Sequence, residues 1–169
     1  MIVLDTSAFI SLAIGDALEP ACEAFDVLTT ATVLDELDTT ADYDDVHAQG
    51  ATTTLGLRDQ YTVIDPDEHG PETSQIDAGE ASCIGTVRER DAAFLVTDDF
   101  RALPELQQLV TADVALSPVV LRALVERDVL REDVAADALE TIADQRDWLG
   151  APIYRYAQRL FETRSDPRE

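Results

Sequence analysis

A chain of 169 residues with 46% hydrophobic content is long enough to bury one substantial core, and its apolar runs stop well short of the roughly 18–20 residues that a membrane-spanning helix needs. Acids outnumber bases 35 to 12, giving a net charge of −23, which argues against the whole surface acting as a nucleic-acid platform.

The elements follow in chain order. Ile2-Val3-Leu4 is a short β-branched apolar run that meets Asp5-Thr6-Ser7 before any helix can start, so it reads as a strand buried on both faces. Such strands belong to parallel sheets covered by helices. Short helices are expected over Phe9–Ile14 and Pro20–Ala24, with a second strand over Phe25–Leu28. Thr29 to Thr32 offers several N-caps for a helix carrying Val33-Leu34-Asp35-Glu36-Leu37. A weakly amphipathic helix is expected within 42–59, a third strand over Tyr61–Ile64 and a loop over Glu68–Ser74. Asp77–Glu89 reads as a helix and Ala93–Thr97 as the fourth strand, closed by Asp98-Asp99. Arg101–Leu109 is helical, with Pro104 confined to its early turn. Val114–Leu116 is a fifth strand, and Ser117-Pro118 starts a helix. Helices are expected over 118–127, 131–148 and 152–163.

Strands alternating with helices predict an α/β protein: a three-layer α/β/α sandwich with a mostly parallel central sheet and a helical C-terminal extension. The division is a core over 1–116 and an extension over 117–169 packed on it, one domain overall. Cys22 and Cys83 are read as small apolar residues rather than a disulfide. His47 and His69 lack the paired spacing of a zinc site and are read as surface residues.

In sheets of this kind, ligands bind beyond the carboxyl ends of the strands. Asp5 ends the first strand, and Asp98 and Asp99 end the fourth. Glu36 lies in the helix after the second strand, and Asp77 and Glu80 open the helix before the fourth. Carboxylates brought together repel one another, and one takes up a proton unless a cation compensates. A ring of hard oxygen donors suits Mg²⁺ or Mn²⁺, ions that polarise phosphate oxygens and lower the pKa of bound water. The competing reading is a solvated helix face or favourable charge near a helix N-terminus for Glu36 and Glu80, and a helix cap for Asp98.

The series Ile2-Val3-Leu4-Asp5-Thr6-Ser7, Val33-Leu34-Asp35-Glu36-Leu37, Asp77-Ala78-Gly79-Glu80-Ala81 and Leu95-Val96-Thr97-Asp98-Asp99 resembles a PIN domain, the nuclease fold of many prokaryotic toxin–antitoxin ribonucleases. The resemblance covers about residues 1–116. It implies that Asp5, Glu36, Glu80 and Asp98 are catalytic metal ligands, with Asp99 assisting. Asp77 competes with Glu80 for the third position, and the Gly-Glu-Ala context favours Glu80. Thr6 or Ser7 would orient Asp5 or hold a water, or simply close the strand as a turn. The implied reaction is Mg²⁺- or Mn²⁺-assisted hydrolysis of RNA, single-stranded or structured. The implied partners are an antitoxin protein and a second copy of the chain in a homodimer.

The tail beyond the fifth strand departs from a minimal toxin of this kind. Ile153, Ala157, Leu160 and Phe161 form one apolar helical stripe, with Tyr154, Arg155 and Arg159 off it. Arg155 and Arg159 could meet RNA phosphate; the preferred reading is a helix packed on the domain or on a second subunit.

All twelve bases are arginine and none is lysine. A charge of −23 weakens the compact state by self-repulsion, and about 1 M salt, with a screening length of about 3 Å, largely removes it. The composition therefore predicts a salt-loaded cytoplasm of the halophilic archaeal kind; no basic, apolar leader opens the sequence. Melting should shift upward between dilute buffer and multimolar KCl, and a melting temperature indifferent to KCl would sink that reading. Two other functions compete with the nuclease. One is a catalytically inactive PIN-like regulator that binds RNA or protein. The other is a phosphotransferase with Asp5 as nucleophile, disfavoured because Ser7 stands where such enzymes need a second aspartate.

Overall fold

The structure is a computed structural model that describes residues 1–162. The last residue of the helix expected over 152–163, together with Arg164 and Arg168, lies outside the described residues.

Five short strands form one sheet in the order β3-β2-β1-β4-β5, and every neighbouring pair is parallel. They are β1 (Ile2–Leu4), β2 (Val27–Thr30), β3 (Thr62–Ile64), β4 (Phe94–Val96) and β5 (Asp113–Ala115). The helices of the first half are α1 (Thr6–Ile14), α2 (Leu18–Ala24), α3 (Ala31–Ala41) and α4 (Val46–Gly56). They are followed by α5 (Ala78–Arg90), α6 (Leu103–Leu109), α7 (Ser117–Glu126), α8 (Glu132–Gln145) and α9 (Pro152–Glu162). The α/β/α sandwich expected from the alternation is the architecture found, and the sheet is parallel throughout.

β1 is flanked by β2 and β4, so it lies at the centre with all three residues buried. Chain direction across the sheet reverses there: β2 and β3 run outward on one side, β4 and β5 on the other. Right-handed crossovers put α1–α4 on one face and α5–α6 on the other. The helices α7 and α8 then pack on α1, and α7 also on α2, so the C-terminal helices thicken the first layer. The core includes Leu4, Phe9, Leu12, Leu95, Leu121 and Ile142, all fully enclosed.

Several element boundaries differ from expectation for local reasons. α1 begins at Thr6, three residues early, because Asp5 caps it by accepting from the Ala8 amide. β2 starts two residues late: Phe25 closes α2, and the Asp26 carbonyl accepts from Ile2 N–H before pairing begins. Thr29 and Thr30 then belong to the strand. The Thr29 hydroxyl donates to the Leu4 carbonyl, while Thr30 caps α3 through the Val33 amide. α8 ends at Gln145, where Arg146 caps it and Asp147 takes a left-handed conformation with φ 56°. Cys83 is buried and Cys22 half-buried, both as free thiols. His69 is exposed, as expected, and the His47 side chain is 43% exposed.

α9 packs on α7 and α8. Ile153 and Ala157 are buried, Phe161 lies against Arg122 with the guanidinium 5.7 Å from the ring centre, and the Tyr154 hydroxyl donates to Glu140. Three residues of the apolar stripe, Ile153, Ala157 and Phe161, thus turn to the domain. Among the described residues, no helix is long and apolar enough to cross a membrane.

Candidate functional site

The switch in chain direction beside β1 leaves a crevice over the carboxyl ends of the strands. A cavity of about 710 Å³ opens there, lined by Asp5, Thr6, Ser7, Glu36, Asp77 and Glu80 among others. β1 and β4 are neighbours in register, Leu4 opposite Val96, so the acids that follow each strand emerge side by side.

Asp5 is 4% exposed. Its Oδ1 accepts from the Ala8 amide at 2.9 Å and from the Ser7 hydroxyl at 2.8 Å. The Ser7 oxygen in turn accepts from the Asp98 amide at 2.9 Å. One serine therefore ties the end of β1 to the end of β4. Burial pushes the Asp5 carboxyl up to about 7, against the lowering effect of Thr97, Ala8 and Ser7, and nearby Asp98 adds to the rise.

Glu36 projects from α3 and accepts from the Thr6 hydroxyl. Burial raises its carboxyl, with Asp77 adding to the rise. α5 comes close to this carboxylate at a glycine. A Cβ on Gly79 would stand 2.5 Å from both Glu36 carboxylate oxygens, the far end of a flexible side chain that can move aside, and the Gly79 N–H favours the charged form. Further along α5 the obstacle is backbone: a Cβ on Gly85 would stand 2.0 Å from the Glu68 carbonyl oxygen, so Gly85→Ala should destabilise the fold by about 1–3 kcal/mol in urea titrations. The control is Gly56→Ala, where an added methyl meets nothing within 4 Å and should be neutral or slightly stabilising. Equal effects from the two substitutions would remove the close approach as the reason for glycine.

Glu80 is 5% exposed and occupies the third position of α5. It forms a capping box with Asp77: the Glu80 amide donates to Asp77 Oδ1 at 2.9 Å, and the Asp77 amide donates to Glu80 Oε2 at 3.0 Å. Burial pushes the Glu80 carboxyl up to about 8, and Asp77, Asp5 and Asp99 add their charge. Asp77 is exposed and acts as the helix cap, though it also lines the cavity.

Asp98 is buried beside Asp5, but its carboxylate faces inward. Oδ1 accepts from the Ser117 amide at 2.7 Å, and Oδ2 is enclosed without a hydrogen-bond partner among the described residues. Burial raises this carboxyl, while Ser11, Ser117 and the charge of Arg146 oppose the rise. Asp99 lines the cavity, half-buried.

These features set what the site could hold. The carboxylate donors are all hard oxygens, several of them raised by burial and by one another's charge. That chemistry fits a divalent cation of the Mg²⁺ or Mn²⁺ type. The present spacing is looser: among the described residues, no three acid, imidazole or thiol groups are gathered closely enough to hold one ion. Binding would have to draw the carboxylates together.

The profile of the PIN domain family matches residues 1–163. This chain belongs to the PIN domain family. Comparison with curated proteins and with solved structures finds no match. PIN domains are typically associated with nucleases and are often metal-dependent. The match runs past the motif-bearing stretch and takes in α7, α8 and α9.

In this PIN domain the acids singled out in the sequence thus fall into two groups. Asp5, Glu36, Asp77, Glu80 and Asp99 line the cavity with Thr6 and Ser7, whereas Asp98 sits behind it. Arg155 and Arg159 lie on α9 and do not line it. Sequence reading counts Arg146 only as one more arginine of the tail, yet it lines the cavity and donates to the Ser7 carbonyl at 3.1 Å. Nothing local to residue 146 signals this, because the contact spans 139 positions. Thr32, Asp35, Thr39 and Thr40 of α3 and His47 of α4 complete that side of the rim; the spacing of the first four would have pointed to that face once Glu36 was placed.

Proposed function

We infer that this PIN domain is a divalent-metal-dependent endoribonuclease that hydrolyses phosphodiester bonds of single-stranded RNA. The observation that carries the reading is the cavity at the switch point, where buried Asp5 and Glu80 keep carboxyls raised by desolvation, Asp5 further by the charge of Asp98 and Glu80 by the charges of Asp77 and Asp5. A fold pays for such an arrangement at neutral pH, and a functional cation is the most direct reason to keep it. Asp5, Glu36, Glu80 and Asp98 are the proposed ligands, with Asp99 assisting and Asp77 as the competitor of Glu80. A bound Mg²⁺ or Mn²⁺ would supply charge stabilisation for the phosphoryl oxygens and an acidified water. The chain's own part is orientation. Ser7 and the Ala8 amide fix Asp5, Thr6 holds Glu36, and the Asp77 backbone holds Glu80.

The finer reading is a toxin ribonuclease from a salt-loaded cytoplasm, held by an antitoxin protein and working as a homodimer. The core over 1–116 and the helical extension over 117–169 act as one domain in this proposal. A second reading, an inactive regulator that binds RNA or protein, draws on the inward-facing Asp98 and the loosely spaced acids. One experiment separates them. Purified protein in multimolar KCl is incubated with single-stranded RNA, with Mn²⁺ or with EDTA. Internal cleavage that depends on Mn²⁺ supports the nuclease; RNA retention without cleavage supports the regulator. Growth arrest on expression, relieved by a co-expressed neighbouring gene product, is the corresponding test of the toxin.

A further inference from the structure

Six carboxylates line the cavity: Asp5, Asp35, Glu36, Asp77, Glu80 and Asp99. Among the described residues lining it, Arg146 alone carries a fixed positive charge. Its backbone caps α8, the helix that packs on α1, and its side chain reaches the first turn of α1. There Nη1 donates to the Ser7 carbonyl, on the same residue whose hydroxyl joins Asp5 to the Asp98 amide. The guanidinium is thus fixed on the residue that ties the two strand-end acids together.

Among the described residues it forms no salt bridge. The arginines that form salt bridges among the described residues are Arg90, Arg101, Arg122 and Arg131. Asp5 and Asp98 lie near enough to favour the charged form of Arg146, while burial works against it, and a guanidinium stays charged under such pressure. One N–H on a carbonyl leaves most of its five donors available. Guanidinium forks match phosphate oxygens with two parallel hydrogen bonds. A net-acidic cleft that must admit a polyanion needs such a cation at the place where the anion is to sit.

We propose that Arg146 is the phosphate-binding residue of this cleft: its guanidinium receives a backbone phosphate of the single-stranded RNA, and α8 thereby carries part of the substrate site. This rests on the nuclease reading for the identity of the anion. It makes the C-terminal helices a working part of the site, which the exposed arginines of α9 are not.

The test compares wild type with Arg146→Gln for binding to a short fluorescein-labelled single-stranded RNA of mixed sequence. Ca²⁺ replaces Mn²⁺ so that the RNA is held uncut, and anisotropy is followed across the KCl range in which circular dichroism is unchanged. Removing one phosphate contact should weaken binding about tenfold and flatten the slope of log K against log salt by about 0.7. Arg146→Lys should keep the wild-type slope with a smaller loss of affinity. If glutamine disturbs folding, Arg146→Met takes its place, retaining the apolar stem. Unchanged affinity overturns the proposal, and so does weaker binding at an unchanged slope, which marks a merely structural arginine. Failure of the nuclease reading looks different: wild type would leave the RNA uncut in Mn²⁺, and only if it also failed to bind the RNA would the proposal fall with that reading.

Discussion

Asp5→Asn protein should lose Mn²⁺-dependent RNA cleavage by about three orders of magnitude, equivalent to about 4 kcal/mol of barrier, while unfolding less readily than wild type in EDTA at pH 8. The two halves come from one arrangement. The asparagine side chain keeps an oxygen to accept from Ser7 and the Ala8 amide, the contacts that cap α1. It removes a carboxylate that burial and Asp98 oppose. A residue retained only to cap the helix would show the gain in stability without the loss of cleavage. Full cleavage by the variant would remove Asp5 from the metal site.

The second large effect is a loss of stability as pH rises in the metal-free protein. Asp5 stands at about 7 when folded against an ordinary 3.8, and Glu80 at about 8 against 4.5. Between those values the folded state holds protons that the unfolded chain has released, so unfolding becomes easier with each step of pH. The stabilisation is complete below about pH 4 and gone above about pH 8. For Asp5 the slope is about 1.4 kcal/mol per pH unit, up to about 4 kcal/mol in all. The charge of Asp5 adds to the rise of Glu80, so the two titrations are coupled. Urea unfolding at constant multimolar KCl, in EDTA, should show a midpoint falling from pH 5 to pH 8. Mn²⁺ should restore much more at pH 8 than at pH 5, where protons compete for the same oxygens. A midpoint flat across that window, with and without Mn²⁺, would contradict the raised carboxyls.

The features legible in the sequence were those written locally. Apolar triplets ending in Asp-Thr-Ser and Thr-Asp-Asp mark strand ends, and parallel pairing of β1 with β4 brings those ends together. The Asp77–Glu80 spacing is a capping box and is found as one. What the sequence hides is what depends on long-range packing. Whether Asp98 turns toward the cavity or toward the Ser117 amide depends on where α7 begins relative to β5, and no pattern near residue 98 carries that. Thr29 and Thr30 read as helix caps because their hydroxyls suit that role. Their β-branched side chains serve a buried strand equally well, and Thr30 does both. α4 is hard to see because its buried positions are Ala48, Gly50, Ala51 and Thr54, small residues that make room for α1 without leaving an apolar stripe. Arg146 is hidden for the plainest reason: its partner lies at the other end of the chain.

Of the five strands, the first in chain order occupies the middle of the sheet, and that has a consequence for biosynthesis. Ile2 finds Val27 soon, but its other neighbour, Phe94, comes much later, and the side chain of residue 146 later still. A chain emerging from the ribosome therefore leaves β1 half-unpaired through much of translation, a non-local pairing that is slow and exposed to misassociation. The acidic cleft cannot exist until most of the polypeptide has been made. Whatever chemistry it performs is withheld from the growing chain until then by the order of assembly alone.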